Sequence, residues 1–345
     1  MKFREAVCFD DVLLEPKYST IETRQDINLD TTINDLKFST PIISSPMDTV
    51  TEVSMVKSIL KFGGLPILHR YNTIKEQCGL VFEICDFLEQ TSNNNINKIS
   101  ASVGVGKDAM HRVEALYNTG VRIFCLDIAH GHHNLMERCL KSIREKYGSS
   151  VTIIAGNVAT ASGFSDLSEW GADAIRVGIG GGSICSTRIQ TGHGIPTLQS
   201  VFDCAHIDGA KLIADGGIKT SGDIVKALAA GADFVMLGSM LAGTDESPGE
   251  VFESNEGKRY KVYRGMASPE AQIAWRKEVR SLEGISTTIP YKGPVLDVLT
   301  KLTKNIKSGL SYSGARNLTE FQAKASFIKQ TTLGLKESKT HILTR

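Results

Sequence analysis

The sequence predicts an α/β protein built as a closed (β/α)8 TIM barrel, and three observations carry that expectation. Eight short apolar runs recur between Pro41 and Leu237, segments of helical period lie between them, and small or polar residues follow most of the runs directly. Strand alternating with helix implies a parallel sheet with right-handed crossovers, and eight such units are what a closed barrel needs. A chain of 345 residues suits one such barrel, so a single domain is expected over residues 1–345, with an N-terminal lead-in segment and a C-terminal flap and tail. A doubly wound open sheet would usually carry a nucleotide-binding glycine fingerprint near its first strand, and none stands there.

The lead-in, Phe9-Asp10-Asp11-Val12-Leu13-Leu14-Glu15-Pro16, passes through polar residues to a strand-like Asp26-Ile27-Asn28-Leu29, and is expected to cover the bottom or side of the barrel. The eight strand candidates are residues 41–45, 65–68, 99–103, 123–127, 151–155, 174–177, 212–214 and 234–237. Helical stretches between them include 51–61, 108–116, 135–146 and 221–230, the last opened by a cap region at Ser221 and closed by Gly231. A barrel places its chemistry at the C-terminal ends of the strands. There the chain carries Ser45-Pro46-Met47-Asp48 after strand one, His69-Arg70 after two, Asp127-Ile128-Ala129-His130 after four and Gly156-Asn157 after five. Asp215-Gly216-Gly217 follows strand seven and Gly238-Ser239-Met240 strand eight. Glycine-rich loops after strands seven and eight predict a phosphorylated ligand. Beyond the barrel, 257–263 reads as a hairpin arm, 265–293 as a long polar excursion of the kind that forms mobile flaps, and 318–327 as a tail with one helical stretch.

The totals exclude several classes. Lys and Arg number 39 against 38 Asp and Glu, a net charge of +1, which offers no electrostatic footprint for nucleic acid or an anionic membrane. No apolar run approaches the ~18 residues of a membrane span, and the first residues lack the apolar core of a signal peptide. Seven scattered cysteines without metal-ligand spacing predict free thiols in a reducing compartment, hence a cytoplasmic protein.

Strand six ends in Gly178-Ile179-Gly180-Gly181-Gly182-Ser183-Ile184-Cys185-Ser186-Thr187-Arg188. Four glycines in five positions let the backbone approach a ligand, and consecutive free N–H groups can cradle an anion. A cysteine held at a strand's end after such a loop reads as a reactive centre, with Arg188 as the cation that would favour its thiolate. His130, His132 and His133 lack the carboxylate or cysteine partners of a metal set, so loop packing or cofactor contact is the expectation for them. His69 and Arg70 are expected to support the site without touching the reacting atoms.

These motifs together, with Ala214-Asp215-Gly216-Gly217-Ile218, Met236-Leu237-Gly238-Ser239-Met240, Glu246-Ser247-Pro248-Gly249, Tyr263-Arg264-Gly265-Met266 and Tyr291-Lys292-Gly293-Pro294, resemble the IMP dehydrogenase/GMP reductase family from Phe9 to the tail. The resemblance implies a homotetrameric barrel that binds a purine nucleoside monophosphate and a nicotinamide cofactor. It also implies chemistry through a covalent cysteine adduct at purine C2. By resemblance Cys185 is the nucleophile, and Thr187 pairs with a flap glutamate expected at Glu283. Asp215 binds the ribose; Ser183, Gly217, Gly238, Ser239 and Tyr263 bind the phosphate; Gly265 and Met266 meet the purine edge, and Met47 lines the pocket. Asp127, Ala129 and Asn157 fall on the cofactor side, and the carbonyls of Gly180, Gly182 and Cys185 are where a monovalent cation such as K+ would sit.

Two departures separate the family's branches. Dehydrogenases usually insert about 120 residues between strands two and three, whereas here only residues 71–98 fill that gap. Dehydrogenases also carry an Arg-Tyr pair in a longer flap to activate water. Here the flap between Met266 and Gly284 has no such pair. The expectation is therefore a GMP reductase using NADPH. A dehydrogenase oxidising IMP with NAD is the alternative, with Arg276 or Arg280 as substitute base, and a non-catalytic purine-nucleotide-binding barrel is a third reading.

Overall fold

In the computed structural model, residues 3–91, 95–279 and 282–340 are described. Barrel strands β1 (Ile42–Ser44), β2 (Leu65–Pro66), β3 (Ser100–Val103), β4 (Ile123–Asp127), β5 (Thr152–Val158), β6 (Ala174–Val177), β7 (Lys211–Asp215) and β8 (Phe234–Leu237) form one eight-stranded sheet. Its hydrogen-bonded order is β2-β1-β8-β7-β6-β5-β4-β3, all parallel. A parallel bridge between Leu68 and Ala101 joins the two ends, so the barrel closes. The expected fold class is observed.

Side-chain alternation explains why these short apolar runs are strands. Along β4, Ile123 and Cys125 point into the barrel with Ile154, Ile213 and Phe234, while Phe124 and Leu126 point outward onto the helices. A period of two with both faces buried is the mark of a parallel sheet sheathed by helices. The sheath comprises α1 (Val53–Phe62), α2 (Ile74–Gln90), α3 (Ala109–Asn118), α4 (Asn134–Tyr147), α5 (Ala161–Glu169), α6 (Thr197–Cys204), α7 (Ser221–Ala229) and α8 (Val295–Tyr312). Helix α7 starts at a capping box one residue before the expected cap: Thr220 accepts from the Asp223 N–H and Asp223 accepts from the Thr220 N–H. Helix α8 was not anticipated, although its buried Val295, Leu299, Leu302, Ile306 and Leu310 repeat at helical spacing.

The lead-in differs from expectation in one place. Residues 26–29 form no strand; Arg24–Asp26 is a 3-10 turn, and the hairpin lies further on, Thr31–Ile33 against Leu36–Phe38. Ile33 and Phe38 enter the interior cluster, where the Phe38 and Phe234 rings meet edge-on at 5.6 Å. The hairpin therefore stops the lower mouth. Phe38→Ala should destabilise the protein by about 3–5 kcal/mol in denaturant unfolding; a loss below ~1 kcal/mol would mean the hairpin is no plug. Further back, Val12–Leu14 pairs antiparallel with Phe327–Lys329, tying lead-in to tail.

The excursion after β8 is more ordered than its polarity suggested. Phe252–Glu253, Arg259–Arg264 and Ser286–Pro290 form a three-stranded antiparallel sheet, with a helix, Pro269–Arg276, between the second and third. No described helix is long and apolar enough to cross a membrane.

Candidate active site

The upper mouth gathers the residues that the sequence placed at strand ends. A cavity of about 400 Å³ is lined by Met47 after β1, Asp127 and Ala129 at β4, Asn157 at β5, Cys185 and Thr187 after β6, and Asp215 after β7, with Met266 and Glu283 from the flap closing over them. The β6 and β7 loops touch through their backbones. Gly178 sits at φ +145°, and a Cβ there would lie 1.9 Å from the Asp215 carbonyl oxygen, so only glycine permits this approach.

Flap and cysteine loop are joined like a short pair of strands. The Ser186 N–H donates to the Glu283 carbonyl (2.9 Å), the Ile285 N–H to the Ile184 carbonyl (3.1 Å), and the Ser186 hydroxyl to the Leu282 carbonyl (3.1 Å). This pairing delivers the Glu283 side chain. The Thr187 hydroxyl donates to Glu283 Oε2 at 2.8 Å, and the Cys185 thiol donates to Thr187 Oγ1 at 3.1 Å. A thiol, a hydroxyl and a carboxylate thus stand in one hydrogen-bonded line, able to move a proton beside a nucleophile.

Beneath them lies a chain of alternating charge. Arg176, 7% exposed on β6, donates to Asp127 Oδ1 at 2.6 Å and to Asp215 Oδ2 at 2.9 and 3.2 Å. Arg70 reaches Asp127 from the other side, and Asn157 Nδ2 donates to Asp215 Oδ2 at 2.8 Å. Burial pushes the Asp127 carboxyl up, but Arg176 and Arg70 outweigh it and hold it below its ordinary range. Burial alone would lower Arg176; Asp215, Cys125 and Asp127 hold it well above its usual value. Arg176→Met should remove the charge between two half-buried carboxylates, leaving Asp127 to Arg70 and Asp215 to the Asn157 amide, and destabilise the protein by up to about 3–5 kcal/mol. Without Arg176, burial raises the folded-state pKa of Asp127, so the deficit should grow as pH rises from 5 to 8 in paired unfolding curves. An equal deficit at both pH values would count against a charge origin.

The remaining residues cluster beside this cavity. The Tyr263 phenol is buried beside Ser183 and Ser239, and burial pushes its pKa up. Gly238 packs so closely that an added Cβ would lie 3.1 Å from the Tyr263 hydroxyl and 3.2 Å from the Met47 sulfur. Gly217 lies over the Gly181 carbonyl, and the Gly265 N–H donates to the Ile285 carbonyl at 2.9 Å. The Gly182 carbonyl accepts the Cys185 N–H at 3.1 Å, turning the loop that would offer carbonyls to a cation.

One expectation needs correction. Arg188 does not face the thiol; it donates to the Ile179 and Ile195 carbonyls and braces the loop from outside. His132 pairs with Asp166 and the His133 ring caps α4. His69 is buried between Glu52 and the Tyr71 N–H. Arg70, expected to support the site, holds Asp127 and lines the cavity together with Tyr71. The Tyr71 ring lies 4.7 Å from that of Trp275, whose indole N–H donates to the Asn72 carbonyl, so the flap helix is pinned to the β2 loop. Arg176 was missed, although an arginine inside the apolar run Ala174-Ile175-Arg176-Val177 signals a buried charge with a partner. Arg264, passed over inside its motif, clamps Asp48 at 2.6 and 2.9 Å. Arg280 lies outside the described residues.

The family model for the IMP dehydrogenase/GMP reductase domain matches residues 6–341. The chain is 34% identical to an inosine-5'-monophosphate dehydrogenase of Nitrosopumilus maritimus over 99% of each chain. It is 30% identical to a GMP reductase of Leishmania major over 99% of this chain and 98% of that one. A crystal structure of a GMP reductase variant from Trypanosoma brucei, in complex with guanosine 5'-monophosphate, superposes with a TM-score of 0.90 at 30% identity over 98% of both chains.

Proposed function

The chain belongs to the IMP dehydrogenase/GMP reductase family, and within it we propose the role of a GMP reductase, converting GMP to IMP and ammonia with NADPH as reductant. The observation that carries this reading is the flap. It brings Glu283 to Thr187 beside Cys185, and its described part holds no Arg-Tyr pair to activate water.

The Cys185 thiolate adds to purine C2, making that carbon tetrahedral. The Thr187–Glu283 pair passes a proton to the exocyclic amino group, the C2–N bond breaks, and ammonia departs. NADPH, when bound, supplies a hydride to C2. The C–S bond then breaks, IMP forms, and the electron pair returns to Cys185 sulfur. Asp215 takes the ribose hydroxyls, and Ser183, Gly217, Gly238, Ser239 and Tyr263 the phosphate. Gly265 and Met266 meet the purine edge and Met47 lines the pocket beside it. Asp127, Ala129 and Asn157 form the cofactor side, with Asp127 fixed by two arginines. The carbonyls of Gly180, Gly182 and Cys185 would hold a monovalent cation. Assembly as a homotetramer accompanies this reading.

Reduced-nicotinamide absorbance tests it: the protein should consume NADPH steadily with GMP and release ammonia. With IMP and NAD it should give at most one equivalent of reduced cofactor. Steady formation of XMP from IMP would overturn the assignment in favour of a dehydrogenase. One observation favours that second reading: Arg276 lines the cavity, and its Nε is buried without a hydrogen-bond partner among the described residues, which makes it the first candidate for a water-activating base.

A further inference from the structure

Lys292 takes no part in the steps above, yet its side chain is committed to the site's edge. The segment of Lys292 runs beside the loop after β8: the Lys292 N–H donates to the Gly243 carbonyl at 2.8 Å and the Asp245 N–H to the Gly293 carbonyl at 3.0 Å. A Cβ on Gly243, at φ +81°, would come within 2.5 Å of the Pro290 carbonyl, so the two segments lie backbone against backbone. From this register the stem of Lys292 folds back and its ammonium donates to three carbonyls of one turn: Ser239 at 2.5 Å, Ala242 at 2.7 Å and Met240 at 3.2 Å.

That turn is helical. The Leu241 and Ala242 N–H groups both donate to the Gly238 carbonyl, so the turn's carbonyl end faces Lys292 while its opposite end carries Gly238 and Ser239 beside Tyr263. A three-donor ammonium fits three converging carbonyls as a bound cation would, and a positive charge at the carbonyl end of a helical turn is favourable.

We propose that Lys292 is a positioning residue for the nucleotide phosphate, a tethered cation that holds the turn after β8 with Gly238 and Ser239 presented to the ligand. The proposal rests on the reading of that turn as the phosphate site. Desolvation pulls the Lys292 pKa down to about 8, while the three carbonyl bonds favour the ammonium and part of the residue stays exposed to solvent. The other titratable groups on the adjoining segments have their own partners or titrate elsewhere. Asp245 accepts from the Tyr291 hydroxyl, Glu246 accepts the Val295 N–H, and Lys261 donates to the Ser247 and Asp245 carbonyls. The Tyr263 and Tyr291 phenols are pushed up.

The test is equilibrium binding of IMP and of inosine, in a Cys185→Ala background that removes the thiol as a titrating group. Lys292→Met should weaken IMP binding about tenfold or more and leave inosine binding unchanged, because only the phosphate is served. With Lys292 in place, IMP affinity should fall as pH rises through 8 towards 9.5. Lys292→Arg should restore affinity and flatten that profile. Equal losses for IMP and inosine would reduce Lys292 to a structural brace and overturn the proposal, as would unchanged IMP binding in Lys292→Met or a flat profile with lysine in place. Failure of the Lys292-bearing protein to bind IMP at any pH would overturn the site reading itself, which distinguishes the two failures.

Discussion

Cys185→Ser should abolish turnover, by about 10⁴-fold or more, and leave nucleotide affinity within a few-fold of the parent. The argument is one of position and chemistry. The thiol ends a loop whose backbone touches the β7 loop, and its hydrogen-bond neighbour is a threonine already tied to a carboxylate. Serine keeps the shape and the hydrogen bond but is a far weaker nucleophile at neutral pH, so the covalent adduct at C2 never forms, and neither ammonia loss nor the hydride transfer to the trigonal adduct can follow. In the proposed reading, binding rests elsewhere, on the phosphate residues around Tyr263 and on Asp215. A merely structural cysteine would give the opposite pattern, with about 1 kcal/mol of stability lost and the rate retained. Iodoacetamide supplies the same test without mutagenesis: alkylation should inactivate the enzyme, and bound GMP or IMP should protect it. Turnover near the parental rate in Cys185→Ser would remove covalent catalysis from the mechanism.

What could be read in the sequence follows from the range of the interactions involved. Barrel strands and their polar ends were legible because each is local: an apolar run of four or five residues, then the glycine or acid that closes it. Residues 178–188 declared themselves in the same way. The placement of Glu283 came from resemblance alone, since 96 positions separate it from Thr187 and no local pattern marks it. Arg176 was hidden for a related reason, because its partners stand on β4 and β7, 49 and 39 positions away. The Asp26–Leu29 strand failed because the alternation there is too short to outweigh a 3-10 turn at Arg24–Asp26. Arg188 misled by proximity. A residue three positions from a thiol in a glycine-rich turn can face the other way, and this one does.

Under the proposed GMP reductase reading, Glu283→Gln should separate the two halves of the reaction. An amide in place of the carboxylate keeps the flap pairing, which runs through the Glu283 backbone to Ser186, so the flap still closes over Cys185. What is lost is the acceptor that lets the Thr187 hydroxyl trade a proton: a glutamine oxygen accepts a hydrogen bond but takes no proton near neutral pH. Expulsion of ammonia from C2 needs that proton, and steady-state reduction of GMP should fall by about 10²–10⁴-fold, the range of a lost general acid–base group. The hydride half of the cycle asks only for Cys185 and a bound nicotinamide, so IMP with oxidised cofactor should still yield up to one equivalent of reduced cofactor, with the purine trapped on sulfur. Rapid mixing followed by acid quench and mass measurement of the Cys185 peptide would show this adduct. Loss of both halves together would mean that Glu283 serves the architecture of the flap. Loss of the hydride half alone would place its proton on the other side of the reaction.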